Sequence, residues 1–183
     1  CYRKKDLIPE EIKYILKNGY HEGEQWDIET GKSETYLLKP RFNEGDSHLF
    51  LIYRIADFLY KHTNKVWLFE THKPDIIFKA SNGKNVAIEV ETGQMYKFKK
   101  KDLIQRVKGL NDEFGSNWFF VITNKEYYRK YLKLGRAYTR KQVLGVVKSY
   151  LTEPETSSFT PPPKTPKQGL ILHKTEVLGG EDS

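Results

Sequence analysis

The sequence predicts an α/β protein in which a mixed central β-sheet is flanked by helices. Segments with helix and strand patterns follow one another in the order α-β-β-β-α-β-α between residues 47 and 151. An Asn82-Gly83 turn separates two runs rich in β-branched residues, as in a β-hairpin. The run WFFVIT, residues 118–123, is apolar throughout, which is typical of a strand buried on both faces.

Each element has a local pattern. The stretch SHLFLIYRIADFLYKH, residues 47–62, predicts a helix with Ser47 as its N-cap and one apolar face, formed by Leu49, Ile52, Ile55, Phe58 and Leu59. Three strands follow, VWLFET, DIIFKA and NVAIEVET. A basic helix is expected at about residues 99–113, with a buried stripe of Leu103, Ile104, Val107 and Leu110. One or two helices are expected between residues 125 and 151.

The chain divides into three parts. Residues 1–46 are interpreted as an N-terminal extension, or as the end of a truncated neighbouring domain. They contain a helix between Pro9 and Gly19 and two strands near EQWDIE and SETYLLK. Residues 47–151 form the core, and residues 152–183 are a flexible proline-rich tail. A start at Cys1 indicates a fragment of a longer polypeptide or a processed chain.

Composition excludes several classes of protein. With 30% charged residues and no apolar run near the roughly 18 residues that a membrane span needs, we expect no membrane contact. The charged N-terminal stretch is not a secretory signal, and one cysteine permits neither an internal disulfide nor a zinc knuckle. The expected location is therefore the cytoplasm, a reducing compartment. No GxxxxGK[ST] or GxSxG motif indicates an ATPase or a serine hydrolase.

The net charge of +7 is concentrated in two segments. Residues 97–108 carry six Lys and Arg against one Asp, and residues 125–148 carry eight against one Glu. Such segments favour an anionic partner, although a solvated lysine-rich surface gives the same pattern.

Three carboxylates lie on the predicted hairpin. Because side chains alternate along a strand, Glu89 and Glu91 share one face, and hairpin pairing brings Asp75 across from Glu89. Converging carboxylates repel unless a cation or a proton relieves them, and oxygen ligands suit Mg²⁺ or Mn²⁺. The alternative is an edge hairpin whose glutamates are simply solvated.

The series Pro74-Asp75, then thirteen residues, then Glu89-Val90-Glu91 and a basic helix resembles the PD-(D/E)XK nuclease superfamily. The resemblance covers about residues 48–123 and is of the kind found in plasmid and viral mobile-element proteins. It implies a restriction-endonuclease-like core. It also implies Asp75, Glu89 and the Val90 carbonyl as ligands of Mg²⁺ or Mn²⁺.

Glu91 departs from the family pattern, which usually has lysine at this position. A few restriction enzymes carry glutamate there, so Asp75, Glu89 and Glu91 are the predicted catalytic residues. Lysines that can substitute for the missing one are Lys73, Lys84, Lys97 and Lys99.

Predicted contacts to DNA are made by His48, Gln94, Lys97, Lys99, Lys100, Lys101 and Arg106. His48 opens the first core helix, where it can orient a water or contact a phosphate, or be only a helix-start residue. Three tyrosines, Tyr127, Tyr128 and Tyr131, either stack on bases or pack the last helix onto the sheet.

Three functions are compatible with these observations. The first is a metal-dependent DNA nuclease in DNA processing by a mobile element. The second is a catalytically inactive, nuclease-derived DNA-binding module in replication or DNA transfer. The third is an interaction domain whose tail docks a larger DNA-processing complex. Because many proteins of this fold cut two strands as dimers, a homodimer is also considered.

Overall fold

The computed structural model describes residues 1–40, 44–69 and 73–152. Residues 153–183 of the predicted tail, and the end of the predicted strand VWLFET, lie outside the described residues. In the described part of the chain, no helix has the length and apolar content that a membrane span requires.

The N-terminal part forms a small antiparallel sheet. Its elements are β1 (Tyr2–Arg3), α1 (Pro9–Lys17), β2 (His21–Trp26) and β3 (Ser33–Leu38), and the strand order is β1-β3-β2. The helix predicted near Pro9 begins at that residue, and Gly19 follows its end with a positive φ of 82°. The two predicted strands pair with each other as a hairpin.

The remaining elements form a second, larger unit of strands and helices. They are α2 (Asp46–Tyr60), β4 (Val66–Leu68), β5 (Ile76–Lys79), β6 (Asn85–Glu91), α3 (Gln94–Phe98), α4 (Lys100–Phe114), β7 (Trp118–Ile122), α5 (Lys125–Tyr131), β8 (Ala137–Thr139) and α6 (Val143–Thr152). The predicted order α-β-β-β-α-β-α is present from α2 to α5, followed by β8 and α6.

The larger sheet has the strand order β4-β5-β6-β7-β8. Its first three strands are antiparallel, while β6, β7 and β8 are parallel. The predicted α/β class with a mixed sheet is therefore confirmed. Since β6 is the third of five strands, it is covered by a neighbour on each edge.

Apolar residues fill both faces of this sheet. One face packs against α2 and α6, with Ile55, Ile88, Phe119 and Val147 among its buried residues. The other face packs against α4 and α5, with Ala87, Leu110, Phe120 and Tyr131 among its buried residues. Each face of β6 therefore lies under helices, and so do the side chains that β6 presents there.

Helix α2 also packs against the N-terminal sheet. The rings of Tyr36 and Phe50 pack edge to face, with centroids 4.6 Å apart. The fully buried carboxylate of Asp27 pairs with Arg54 of α2 at 3.0 Å. These contacts place α2 between the two sheets and hold the helix at Phe50 and Arg54, shortly after His48.

Three local predictions were wrong. Ser47 is not the N-cap of α2, because the helix already begins at Asp46 and Gly45 occupies the cap position. Ile104 is 51% exposed, since the buried stripe of α4 is narrower than expected. The basic helix predicted at about residues 99–113 is confirmed as α4, although an unpredicted short helix, α3, precedes it, with Lys99 as the non-helical residue between the two. Strand β8 was not predicted; its three residues lie between Arg136 and Arg140 in a segment assigned to helix.

Candidate active site

Two carboxylates meet where β5 begins and β6 ends. The register pairs Ile76 with Ile88, so Asp75 lies opposite Glu89, as the sequence predicted. The Val90 N–H donates a 2.7 Å hydrogen bond to Asp75 Oδ2. This bond holds the Asp75 carboxylate against the strand that carries both glutamates.

Glu89 and Glu91 share the face of β6 that lies under α4 and α5, while Ile88 and Val90 lie in the core on the other face. Both glutamates are buried, with 4% and 5% of their surface exposed. The alternative of solvated glutamates on an edge hairpin is excluded, because β6 is an inner strand and both carboxylates are covered. A buried carboxylate without a partner is costly, so each of the two needs one.

Arg106 of α4 supplies the partner of Glu89. Its Nε contacts Glu89 Oε1 as an ion pair, and its Nη2 donates a 2.7 Å hydrogen bond to the Lys73 carbonyl. The guanidinium predicted to contact DNA is therefore half-buried and held across the strand ends. Glu89 Oε2 is buried and has no hydrogen-bond partner among the described residues.

Tyr131 at the end of α5 supplies the partner of Glu91. Its hydroxyl donates a 2.8 Å hydrogen bond to Glu91 Oε2. The ring is fully buried and packs on Phe120, with centroids 4.9 Å apart. Of the two interpretations of Tyr131, base stacking and packing onto the sheet, packing is correct. The sequence did not predict that the Tyr131 hydroxyl would be part of the candidate site.

The carboxylates titrate unusually because they are buried together. Burial raises the pKa of Glu89 well above its ordinary value, and the charge of Asp75 adds to this effect while Arg106 opposes it. Burial also raises the pKa of Glu91, to about 7, although the Tyr131 hydrogen bond opposes the rise. Strongly shifted carboxylates that gather at strand ends are typical of functional sites.

His48 joins the group from the first turn of α2. Its Nε2 lies 3.5 Å from Asp75 Oδ2, and its Nδ1 lies 3.7 Å from Glu44 Oε2. Burial disfavours the charged ring, but the hydrogen bond and charge of Asp75 outweigh it, so the pKa of His48 is raised. The predicted helix-start histidine therefore lies beside the carboxylates.

The predicted lysines are divided between the site and the surface. Lys73 precedes Asp75, and its buried Nζ has no hydrogen-bond partner among the described residues, although it lies 4.8 Å from the Phe69 ring centroid. The other predicted contacts are exposed on α3, on the first turn of α4 and between the two helices: Gln94, Lys97, Lys99, Lys100 and Lys101. They follow Glu91 directly along the chain. Lys84 lies at the other end of β6, away from the carboxylates.

The oxygen atoms at these strand ends suit the magnesium ion that the sequence predicts. In residues 1–40, 44–69 and 73–152, no three His, Cys, Asp or Glu side chains are grouped as metal ligands. Mg²⁺, however, is commonly held by one or two carboxylates, with waters and substrate phosphates completing its shell. Asp75 and the unpaired Glu89 Oε2 meet this requirement.

A backbone oxygen adds a third donor. The Val90 N–H points to Asp75 on the β5 side, whereas the Glu91 carbonyl accepts from Thr123 on the β7 side. Because successive residues of a strand direct their hydrogen-bonding groups to opposite edges, the Val90 carbonyl points to the β5 side. The Val90 carbonyl oxygen thus lies on the same edge of strand β6 as the Asp75 carboxylate.

Comparisons of the chain with protein-family models, with curated proteins and with solved structures gave no match.

Proposed function

We propose that this protein is a metal-dependent DNA nuclease that hydrolyses phosphodiester bonds, built on a restriction-endonuclease-like core. The observation that carries the proposal is the pair formed by half-buried Asp75 and buried Glu89 on adjacent strands, with Glu89 Oε2 lacking a hydrogen-bond partner among the described residues. A buried carboxylate oxygen normally has a partner. A divalent cation is the partner that this donor set suits.

The architecture supports the same proposal. Helix α2, the antiparallel strands β4 to β6, helix α4 and the parallel strand β7 follow in the order that the resemblance implies. This order brings the start of β5, the end of β6 and the start of α2 to the same end of the sheet's strands. His48, Asp75 and Glu89 reach that end from three different elements.

Each residue has a proposed role. Asp75, Glu89 and the Val90 carbonyl would hold Mg²⁺ or Mn²⁺. When bound, the ion supplies charge stabilisation for the scissile phosphate and a lowered pKa for an attacking water. Arg106 balances the charge of Glu89 through its contact with Oε1, and His48 helps to hold the Asp75 carboxylate through its Nε2 atom, 3.5 Å from Oδ2.

Glu91 is proposed as the proton acceptor for the water that attacks phosphorus. A general base works best when its pKa lies near the working pH, and burial raises the pKa of Glu91 to about 7. The Tyr131 hydrogen bond fixes the position of its Oε2 atom. Glutamate at the position of the family's lysine would thus supply a base.

The DNA backbone is proposed to lie along α3 and the first turn of α4. Lys97, Lys99, Lys100 and Lys101 are exposed there, and the first turn of α4 has no side-chain cap. Lysine clusters neutralise phosphates and release counterions, which gives affinity without sequence preference.

A specific contact favours a second candidate, the catalytically inactive DNA-binding module. Arg106 already neutralises Glu89, as a structural ion pair would, and no lysine follows in the position the family uses. In this candidate, the carboxylates would only stabilise the core, and the lysines would bind DNA.

The experiment that separates the two candidates uses supercoiled, linear and single-stranded DNA with Mg²⁺, Mn²⁺ or EDTA. Cleavage in either metal and none in EDTA supports the nuclease. DNA binding with no cleavage under any condition supports the inactive module. A protein that neither binds nor cleaves DNA contradicts both.

A further inference from the structure

Helices α3 and α5 present aromatic rings and ammonium groups side by side. We call this group, consisting of Tyr96, Lys97, Phe98, Lys100 and Lys130, the α3 surface. The Lys97 Nζ lies 4.9 Å from the Phe98 ring centroid, and the Lys100 and Lys130 Nζ atoms lie 5.2 Å and 5.5 Å from the Tyr96 centroid. Three cations thus surround two rings.

Phe98 is the residue of the α3 surface that the fold does not explain. It is 67% exposed at the end of α3, although burial of an aromatic side chain stabilises a fold. It follows Lys97 and precedes Lys99, Lys100 and Lys101. An exposed ring among lysines cannot serve an apolar protein contact without also burying their charges.

The charges of the α3 surface converge from different elements. Lys100 on α4 and Lys130 on α5 both place their ammonium groups over the Tyr96 ring, and Lys130 also lies 4.6 Å from the Tyr127 centroid. Like charges brought together in this way repel each other, and a bound anion relieves the repulsion. The acidic residues nearest along the chain are Asp102 and Glu126, one on each helix. The cations outnumber them.

A chain of contacts connects the α3 surface to the candidate active site. The Tyr96 ring lies 5.9 Å from the ring of Tyr131, whose hydroxyl donates to Glu91. Helix α3 itself begins three residues after Glu91. The α3 surface therefore adjoins the candidate active site, and a DNA strand bound to it would lie near the carboxylates.

We infer that the α3 surface binds unpaired nucleotides of a DNA strand, with Phe98 stacking on a base and Lys97, Lys100 and Lys130 contacting the adjacent phosphates. Aromatic stacking combined with a cationic groove is the general mode of single-strand binding, and it tolerates any sequence because every base has a π-face. A duplex keeps its base faces stacked inside and offers phosphates, sugars and base edges, none of which can stack on the Phe98 ring. The inference rests on the proposed function for its choice of DNA, and it makes DNA with an unpaired segment the substrate.

The test compares two strands of equal length and charge, oligothymidylate and an abasic phosphodeoxyribose strand, in EDTA at physiological salt. The wild type is expected to bind oligothymidylate more tightly. Phe98→Ala should weaken that binding by about 5- to 100-fold and leave abasic-strand affinity unchanged. Phe98→Trp should retain the preference for bases.

Tyr14→Ala is the matched control, because Tyr14 is 69% exposed on α1 and has Lys13 and Lys17 as neighbours in the sequence. Its affinities for both strands should equal those of the wild type. Sedimentation of the wild type and Phe98→Ala examines the competing role of Phe98 in self-association. A dimer that dissociates in Phe98→Ala overturns the inference.

Two further results would overturn it: equal wild-type affinity for both strands, or an unchanged preference in Phe98→Ala. Because the assay contains no metal, it is independent of cleavage. A protein that never cleaves DNA but loses its preference for bases in Phe98→Ala contradicts the nuclease and supports the α3 surface. Cleavage of duplex and single strands at equal rates, unaffected by Phe98→Ala, supports the nuclease and contradicts the α3 surface.

Discussion

The Tyr131 hydroxyl donates a 2.8 Å hydrogen bond to Glu91 Oε2, joining the end of α5 to the end of β6 across 40 positions of the sequence. Both side chains are buried, so the bond is made away from water. The bond gives Glu91 one donor and lowers its pKa, while burial raises that pKa more strongly, to about 7. The ionisation of this carboxylate therefore depends on a phenol that sequence patterns do not connect to it.

Tyr131→Phe tests this connection by removing only the hydroxyl. Because Glu91 Oε2 loses its donor inside the protein, the free energy of unfolding should fall by about 1–3 kcal/mol. The same bond lowers the pKa of Glu91, so its removal should raise that pKa further. Urea unfolding measures the first effect and carboxyl NMR titration the second. Tyr14→Phe, on an exposed ring, should change stability by less than about 0.5 kcal/mol.

Stability should depend on pH through Glu91. Its pKa is about 7 in the folded protein against an ordinary 4.5, so folding favours the protonated form. The resulting stabilisation is fully present below about pH 4.5 and is lost as the pH rises through about 7, amounting to a loss on the order of 3 kcal/mol. The glutamine side chain of Glu91→Gln does not titrate, so this variant should lack that loss of stability.

The measurement is the free energy of unfolding in EDTA at about pH 5 and pH 8 for both proteins. His48 and Glu89, whose pKa values are also raised, contribute in the same direction in both. The fall between the two pH values should therefore be smaller in Glu91→Gln. Equal falls would mean that Glu91 is ionised throughout this range.

Divalent metal should bind at Asp75 and Glu89. Calorimetric titration of the wild type with Mn²⁺ should give one or two sites, because two carboxylates and a backbone oxygen lie together. Asp75→Ala should lose this binding. Asp112→Ala, at an exposed position of α4, should retain it. Equal Mn²⁺ binding by the wild type and Asp75→Ala would remove Asp75 from the metal site.

DNA affinity should fall steeply with salt through the lysines of α4. Each neutralised phosphate contributes a slope of about −0.9 on duplex DNA, so replacing Lys99, Lys100 and Lys101 by Ala should flatten the slope by up to about 3 units. The control replaces Lys13, Lys17 and Lys32, three exposed lysines of the N-terminal part. An unchanged slope in the α4 variant, or the same flattening in the control, would place the DNA elsewhere.

The juxtaposition of Asp75 and Glu89 was predictable because it depends on local rules. The Asn82-Gly83 turn sets the hairpin register, and the pleat then sets which side chains share a face. Burial was not predictable in the same way. Glutamates on one face of a strand predict that this face is exposed to solvent. Only the packing of α4 and α5 over β6 buries Glu89 and Glu91.

Local sequence patterns also could not predict the partners of the two glutamates, because those partners are distant in the sequence. Arg106 lies among lysines and reads as a surface residue, yet it turns inward to Glu89 because its position on α4 faces the sheet. Tyr131 ends a helix rich in lysine and tyrosine, where both stacking and packing fit the pattern. Strand β8 has only three residues, too few for an alternation to be visible.

The most direct test of a carboxylate-centred nuclease is the single-turnover cleavage rate in Mg²⁺ of the wild type, Asp75→Asn and Glu91→Gln, with DNA affinity measured in Ca²⁺. The wild type should cleave, and Glu91→Gln should be slower by about 10²- to 10⁴-fold because it cannot accept a proton. Asp75→Asn should lose cleavage with its metal ligand, and both variants should still bind DNA. Glu126→Gln, at an exposed position of α5, should match the wild type. Full cleavage by Asp75→Asn and Glu91→Gln, or none by the wild type, would contradict the account.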